Sequence, residues 1–378
     1  VGEVTFGDVR AIMSRAPALA WRQLALAADG YHDMREWREV VVPYVKGQAE
    51  QWPRAVERRA PIGWVSRLLD GGGEHPMLRL CGVVEVPGRM IDASALDVLG
   101  EAGVWSVRRL EVEGDVSERT WGAWARREDV DVEELCLRGG TNTALALGQL
   151  VKGGWFGRVR RFEADGGNVG VRGVRALASQ DALGLEALAF DACGVGEGSL
   201  DALREAAWLA GLSALELTDR QARKTRGAGR RFDGALRVRD GELERFFAEG
   251  VVALRRLSME GVGLGGRAAV LARALGPRLD VAVFSRCALG DEDVEAMVSR
   301  GVFERARRVD LSQNAFGPRG LDALARQQMP ALERLRVWPS ARLGRARAEA
   351  FADSPVWGEE VRDEMWADLE GEGEPWGT

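Results

Sequence analysis

Histidine is almost missing from this sequence: His32 and His75 are the only two among 378 residues. Cysteine is scarce as well, with single residues at positions 81, 136, 193 and 287. Zinc clusters, disulfide frameworks and histidine-based triads have little to be built from, and neither histidine has a cysteine or acidic residue at a spacing that would complete one. A phosphate loop of the form Gly-x4-Gly-Lys-Ser/Thr is absent, and the string Gly261-Val262-Gly263-Leu264-Gly265-Gly266 reads as a tight strand-to-helix turn. No enzyme, cofactor, metal or small-molecule substrate is therefore expected. No run of eighteen apolar residues occurs and the N-terminus lacks a charged-then-apolar leader pattern, so the expectation is a cytoplasmic chain without a membrane span. Lysine is limited to Lys46, Lys152 and Lys224, an arginine bias that reads as the mark of a high-GC genome. Positive charge is not in excess either. The 52 basic residues stand against 58 acidic ones, which excludes a surface coated in positive potential for wrapping duplex nucleic acid.

Hydrophobic residues make up 46% of the chain, enough for a sizeable core, and they recur with a period. Apolar triplets spaced i, i+3, i+5 begin with Cys81, Val84, Val86 and continue as Val107, Leu110, Val112, then Val132, Leu135, Leu137. Their central members are Val84, Leu110, Leu135, Phe162, Leu188 and Leu215, then Leu257, Ala282, Val309 and Leu335, spaced 25 to 27 residues apart within each run. Between Leu215 and Leu257 the gap is 42, and Leu236 with Val238 divides it, so eleven strands are expected. Ten and thirteen residues past the last strand position, apolar pairs such as Leu147 with Leu150 and Leu321 with Leu324 supply helical spacing. Each unit reads as strand, turn, helix. The units holding Trp121 with Trp124, and Ala269, fit the helix half poorly.

The pattern resembles the leucine-rich repeat, of the longer ribonuclease-inhibitor-like type found in bacterial proteins among others. The likeness is clearest in Val309-Asp310-Leu311-Ser312-Gln313-Asn314-Ala315-Phe316-Gly317 followed by Gly320-Leu321-Asp322-Ala323-Leu324-Ala325. The resemblance implies an α/β solenoid, a horseshoe with parallel strands on the concave face and helices on the convex face. It also implies that Cys193, Cys287 and Asn314, at the family's Asn/Cys position, bond backbone groups of the turn. Asp115, Gly140, Gly167, Arg220 and Val262 depart from the family there, so its ladder is broken. Some members of the family are GTPase activators, such as the Ran GTPase-activating protein, which shares an acidic C-terminal tail.

Residues 1–75 show no strand register and read as a helical cap or a small binding domain, because a solenoid must cover its first hydrophobic end. Their stretch from Trp37 to Trp52 loosely resembles the N-terminal helical segment of bacterial leucine-rich repeat proteins. The repeats occupy 76–340. Residues 341–378 read as a closing helix and an acidic tail in which Trp357 and Trp366 fold back onto the last repeat. The segment 218–232 holds Arg220, Arg223, Lys224, Arg226, Arg230 and Arg231, and no apolar residue larger than Ala lies between Leu217 and Phe232, so it reads as an exposed, protease-sensitive loop.

Side chains flanking each central strand residue point to one side of the sheet. Candidate partner-binding residues on that face are Arg109, Glu111, Arg161, Glu163, Arg256, Arg308, Asp310, Arg334, Arg336 and Trp338. The leading expectation is a non-enzymatic scaffold, acting as adaptor, sensor or inhibitor, that holds a protein partner there. Nucleic-acid binding through the 220–231 loop, and activation of a partner enzyme such as a GTPase, are the alternatives.

Overall fold

The computed structural model describes residues 4–31, 33–181, 183–218, 239–338 and 345–371. It divides into two compact units, Val1–Thr141 with Lys152–Val159, and Asn142–Val151 with Arg160–Thr378.

The first unit opens with helices α1 (Phe6–Met13), α2 (Pro17–Ala28) and α3 (Met34–Glu36), the last running through a π turn at Trp37–Val41 into α4 (Val42–Ala49), and then α5 (Ile62–Leu69). Thr5 and Asp8 form a reciprocal capping box at α1, and Pro17 opens α2, where its missing N–H is not needed. Trp21, Leu24, Trp37, Val41, Val45, Trp64 and Val65 are their buried face. Strands β1 (Val83–Pro87), β2 (Arg109–Glu113) and β3 (Glu134–Arg138) follow, alternating with α6 (Ala93–Glu101) and α7 (Glu118–Ala125). They pair in parallel with Val84 opposite Leu110 and Leu110 opposite Leu135. Arg59 bridges Val83 in parallel, so the segment after α4 hydrogen-bonds the outer edge of β1. Trp121 and Trp124 are buried i, i+3 partners on α7, one residue earlier than in the regular repeats. Trp124 packs between Trp105 and Trp155 at ring separations of 5.1 and 5.2 Å.

The second unit begins with α8 (Thr143–Leu150) and β4 (Arg161–Asp165). The repeats continue as α9 (Gly170–Ala178), β5 (Ala187–Asp191), α10 (Ser199–Arg204), β6 (Ala214–Thr218), α11 (Asp240–Arg245) and β7 (Arg256–Glu260). They close with α12 (Ala268–Leu275), β8 (Val281–Val283), α13 (Asp291–Ser299), β9 (Arg308–Asp310), α14 (Pro318–Arg326) and β10 (Arg334–Arg336). The central residues Phe162, Leu188, Leu215, Leu257, Ala282, Val309 and Leu335 lie side by side in one parallel ladder, all buried. Helix α12 shows the same one-residue shift as α7, burying Ala268, Leu271, Ala272 and Leu275.

Ten strands, not eleven, are present among the described residues. Leu215 of β6 is hydrogen-bonded in register with Leu257 of β7, so no strand intervenes. The 42-residue gap is one repeat carrying an insertion. Leu236 and Val238 themselves lie outside the described residues.

Seven of the turns after a strand share one feature. Four residues past the central one the backbone is left-handed, at Gly114, Gly139, Gly166 and Gly261, but also at Ala192, Arg286 and Gln313. In four of them the next position carries a side chain that bonds the turn backbone. The Cys193 thiol donates to the carbonyls of Ala164 and Asp191 at 3.0 Å, and Cys287 to Met259 at 2.8 Å. Asn314 accepts from the Cys287 and Leu289 amides and donates to the Phe284 and Leu311 carbonyls. Asp115 accepts from the Thr141 amide at 2.7 Å.

After β10 come α15 (Arg345–Ala352) and α16 (Glu359–Gly371). Trp357 is buried against Phe351, α16 packs on β10 with Val361, Met365 and Leu369 buried, and half-buried Trp366 donates to Asp353.

Candidate functional site

The alternation of each strand places the predicted residues on the face opposite the helices, where long side chains decide which charges meet. In the first unit they neutralise one another. Glu111 on β2 is 0% exposed and accepts from Arg59 at 2.7 and 3.0 Å and from Arg109 at 2.7 Å, with Arg138 also at 2.7 Å. Burial acts to raise its pKa, but the bonds from Arg59 and Arg109 outweigh that and hold the carboxyl below its usual value. Beside it, burial and a hydrogen bond shared with Glu113 push Glu85 upward. Arg109 also reaches Glu134 at 3.5 Å. Glu111, expected as an exposed contact, is instead the buried centre of a charge cluster.

In the second unit the face is more open. Arg161 reaches Glu216 at 3.2 Å and lies 3.9 Å from Glu163. Ala187, Ala189 and Ala214 form a floor of small side chains on β5 and β6. Arg256 and Arg308 are exposed, and neither makes an ion pair among the described residues. Asp310, two residues from Arg308, accepts from the Ser312 amide and hydroxyl at 2.9 and 2.6 Å. Arg334 is engaged by Glu364 of α16 at 3.1 Å, and Arg336 is half-buried. Trp338 is a correction: it is 1% exposed, packed edge-on against Phe351, because the chain turns inward once β10 ends.

Sequence reasoning missed Arg59, Arg138 and Glu364. Arg138 stands in the same lateral row as Glu113, which was a usable signal. Arg59 and Glu364 lie outside the repeat register, so spacing could not find them. Arg220, Arg223, Lys224, Arg226, Arg230 and Arg231 lie outside the described residues.

All four cysteines are free and buried, and burial pushes the thiols of Cys81 and Cys193 up to about 12, so neither carries a thiolate at neutral pH. Among the described residues there is no group of three or more His, Cys, Asp or Glu able to hold a metal, and no helix long and apolar enough to cross a membrane.

A parallel ladder of apolar residues spaced 25 to 27 positions apart outside the one long gap, helices between the strands, and Cys193, Cys287 and Asn314 tying three of the turns make a strand-helix fold of the leucine-rich repeat kind. Comparison with protein-family models and with curated proteins finds no match. Among solved structures, an internalin from Listeria monocytogenes is similar at 15% identity and TM-score 0.37, over 66% of this chain and 58% of that one. The chain thus spans less than two thirds of the internalin's length. A protein from Bacteroides fragilis is similar at 12% identity and TM-score 0.37, over 73% of this chain and 70% of that one. Neither likeness bears on function.

Proposed function

We propose that the chain is a non-enzymatic scaffold that holds a protein partner on the strand face of its repeats. The observation that carries this is the strand face of β4–β9, where arginine, glutamate, alanine and valine side chains stand half-buried or exposed in lateral register, one row per strand. Strands spaced about 4.8 Å apart give six of them a surface on the order of 25 Å across, the scale of a protein contact rather than of a small ligand. In this reading the helices before β1 close one end of the repeats, as the Arg59–Val83 bridge supports, and α15 with α16 close the other.

With only three lysines, amine cross-linking would be blind, so the test is photocross-linking. A benzophenone side chain placed at Ala187, Ser258 or Val283 in the full chain, expressed in its native host, should capture a protein, whereas one at Glu295 on α13 should not. Capture from the helix position alone, or from none, rejects the scaffold reading.

A further inference from the structure

Across the second unit the arginines of the strand face differ in one respect. Arg161 is paired with Glu216, Arg286 with Glu260 and Arg334 with Glu364. Arg256 and Arg308 are exposed without an ionic partner among the described residues. They are not scattered: in the ladder Arg256 lies opposite Val281 and Val281 opposite Arg308. Two strand spacings separate them, about 10 Å. Between them lies half-buried Val281, and two residues along β8 half-buried Val283, between Ser258 and Asp310, extends it into an apolar strip.

We infer that this strip is a docking site for an acidic segment of a partner protein, two of whose carboxylates pair with Arg256 and Arg308 while an apolar side chain covers Val281 and Val283. It rests on the scaffold reading and narrows it to β7–β9. A guanidinium presents two parallel N–H donors that match a carboxylate, and such a pair strengthens as apolar contact beside it removes water. Discrete acids suit the site better than a continuous polyanion. Asp310, Glu216 and Glu260 flank the two arginines on the same strands or the next, and a phosphate backbone crossing the strip would run against them. Carboxylates three residues apart in a polyproline-II peptide stand on one side of it about 9 Å apart, matching the arginines.

The probe is a fluorescein-labelled dodecapeptide repeating Glu-Val-Ser, followed by anisotropy on the full chain in low salt, with Gln-Val-Ser and Lys-Val-Ser counterparts and a twelve-residue oligo(dT) as comparisons. The Glu peptide should bind, weaken as salt rises, and lose at least tenfold in affinity in the Arg256→Glu, Arg308→Glu double variant. Reversal of Arg300 and Arg326, away from the strand face, should leave binding unchanged. Hydrogen exchange with the Glu peptide bound should protect β7–β9. Absence of binding, equal binding of the Lys peptide, tighter binding of oligo(dT), or indifference to the double variant each overturns the inference. Protection confined to β4–β6 overturns it too, yet leaves the scaffold reading standing, since that reading falls only with the photocross-linking result.

Discussion

A carboxylate with no solvent contact, ringed by Arg59, Arg109 and Arg138, behaves unlike a surface ion pair. Exposed pairs contribute at most about 1 kcal/mol, but removing one member of a buried cluster leaves charge without compensation. Glu111→Gln should therefore destabilise the first unit by about 3 kcal/mol, read as faster hydrogen exchange in β1–β3. The sign of its pH dependence follows from its lowered pKa. Its contribution is present above the unfolded carboxyl value and is lost as pH falls through the folded one. His75 makes a second case. It is buried, stacked on Trp64 at 3.7 Å, and its Nδ1 accepts from the Met77 amide, so burial lowers its pKa to about 4. The folded state refuses a proton that the unfolded state takes up from about pH 6.5 downward, so stability falls between there and pH 4. With His32→Gln leaving a single histidine, the NMR titration of the His75 ring should show a midpoint near 4, and one near 6.5 would refute the packing. Ala192 holds the left-handed turn position that glycine occupies in Gly114, Gly139, Gly166 and Gly261. An L side chain costs about 1 kcal/mol there, so Ala192→Gly should raise the thermal midpoint.

At the scale of elements, acids at the helix N-termini stitch one repeat to the next. Glu242 of α11 is fully buried and accepts from the amides of Gly198, Leu200 and Asp201 at 3.1, 2.8 and 3.3 Å, satisfying the open end of α10. Asp293 of α13 does the same for Gly266 and Ala268 at α12, and Asp291 for Gly317 and Gly320 at α14. A buried carboxylate on three N–H donors also complements the helix dipole. Glu242→Ala should cost about 2 kcal/mol, above an ordinary cap because the amides it leaves are buried, and exchange at residues 198–203 should accelerate selectively. The cap is not visible in periodicity, because Glu242 lies 44 residues from Gly198 across the longest repeat.

For the molecule as a whole, the direct pairing of β6 with β7 turns an expected extra strand into an insertion within one repeat. Replacing residues 222–235 with a short Gly-Ser linker should then preserve the circular dichroism and the unfolding midpoint. A collapse of cooperativity would mean that the insertion contributes to the ladder after all.

The number and register of the strands outside that insertion follow from sequence alone. Alternation leaves one central position per strand that can be buried between its neighbours, and a leucine or its equivalent at 25- to 27-residue intervals marks each one. The turn ligands Cys193, Cys287 and Asn314 stand at a constant offset from that position, and it was the resemblance to the leucine-rich repeat that implied their role. Which charges meet was decided only by the tertiary structure. Arg59 closes on Glu111 from 52 residues away, and Glu364 reaches Arg334 from a helix beyond the repeats. Long, flexible side chains pair by proximity in space, and no spacing along the chain encodes it. The same columns that look alike in sequence are therefore a closed charge cluster at Glu111 and an open one at Arg256 and Arg308.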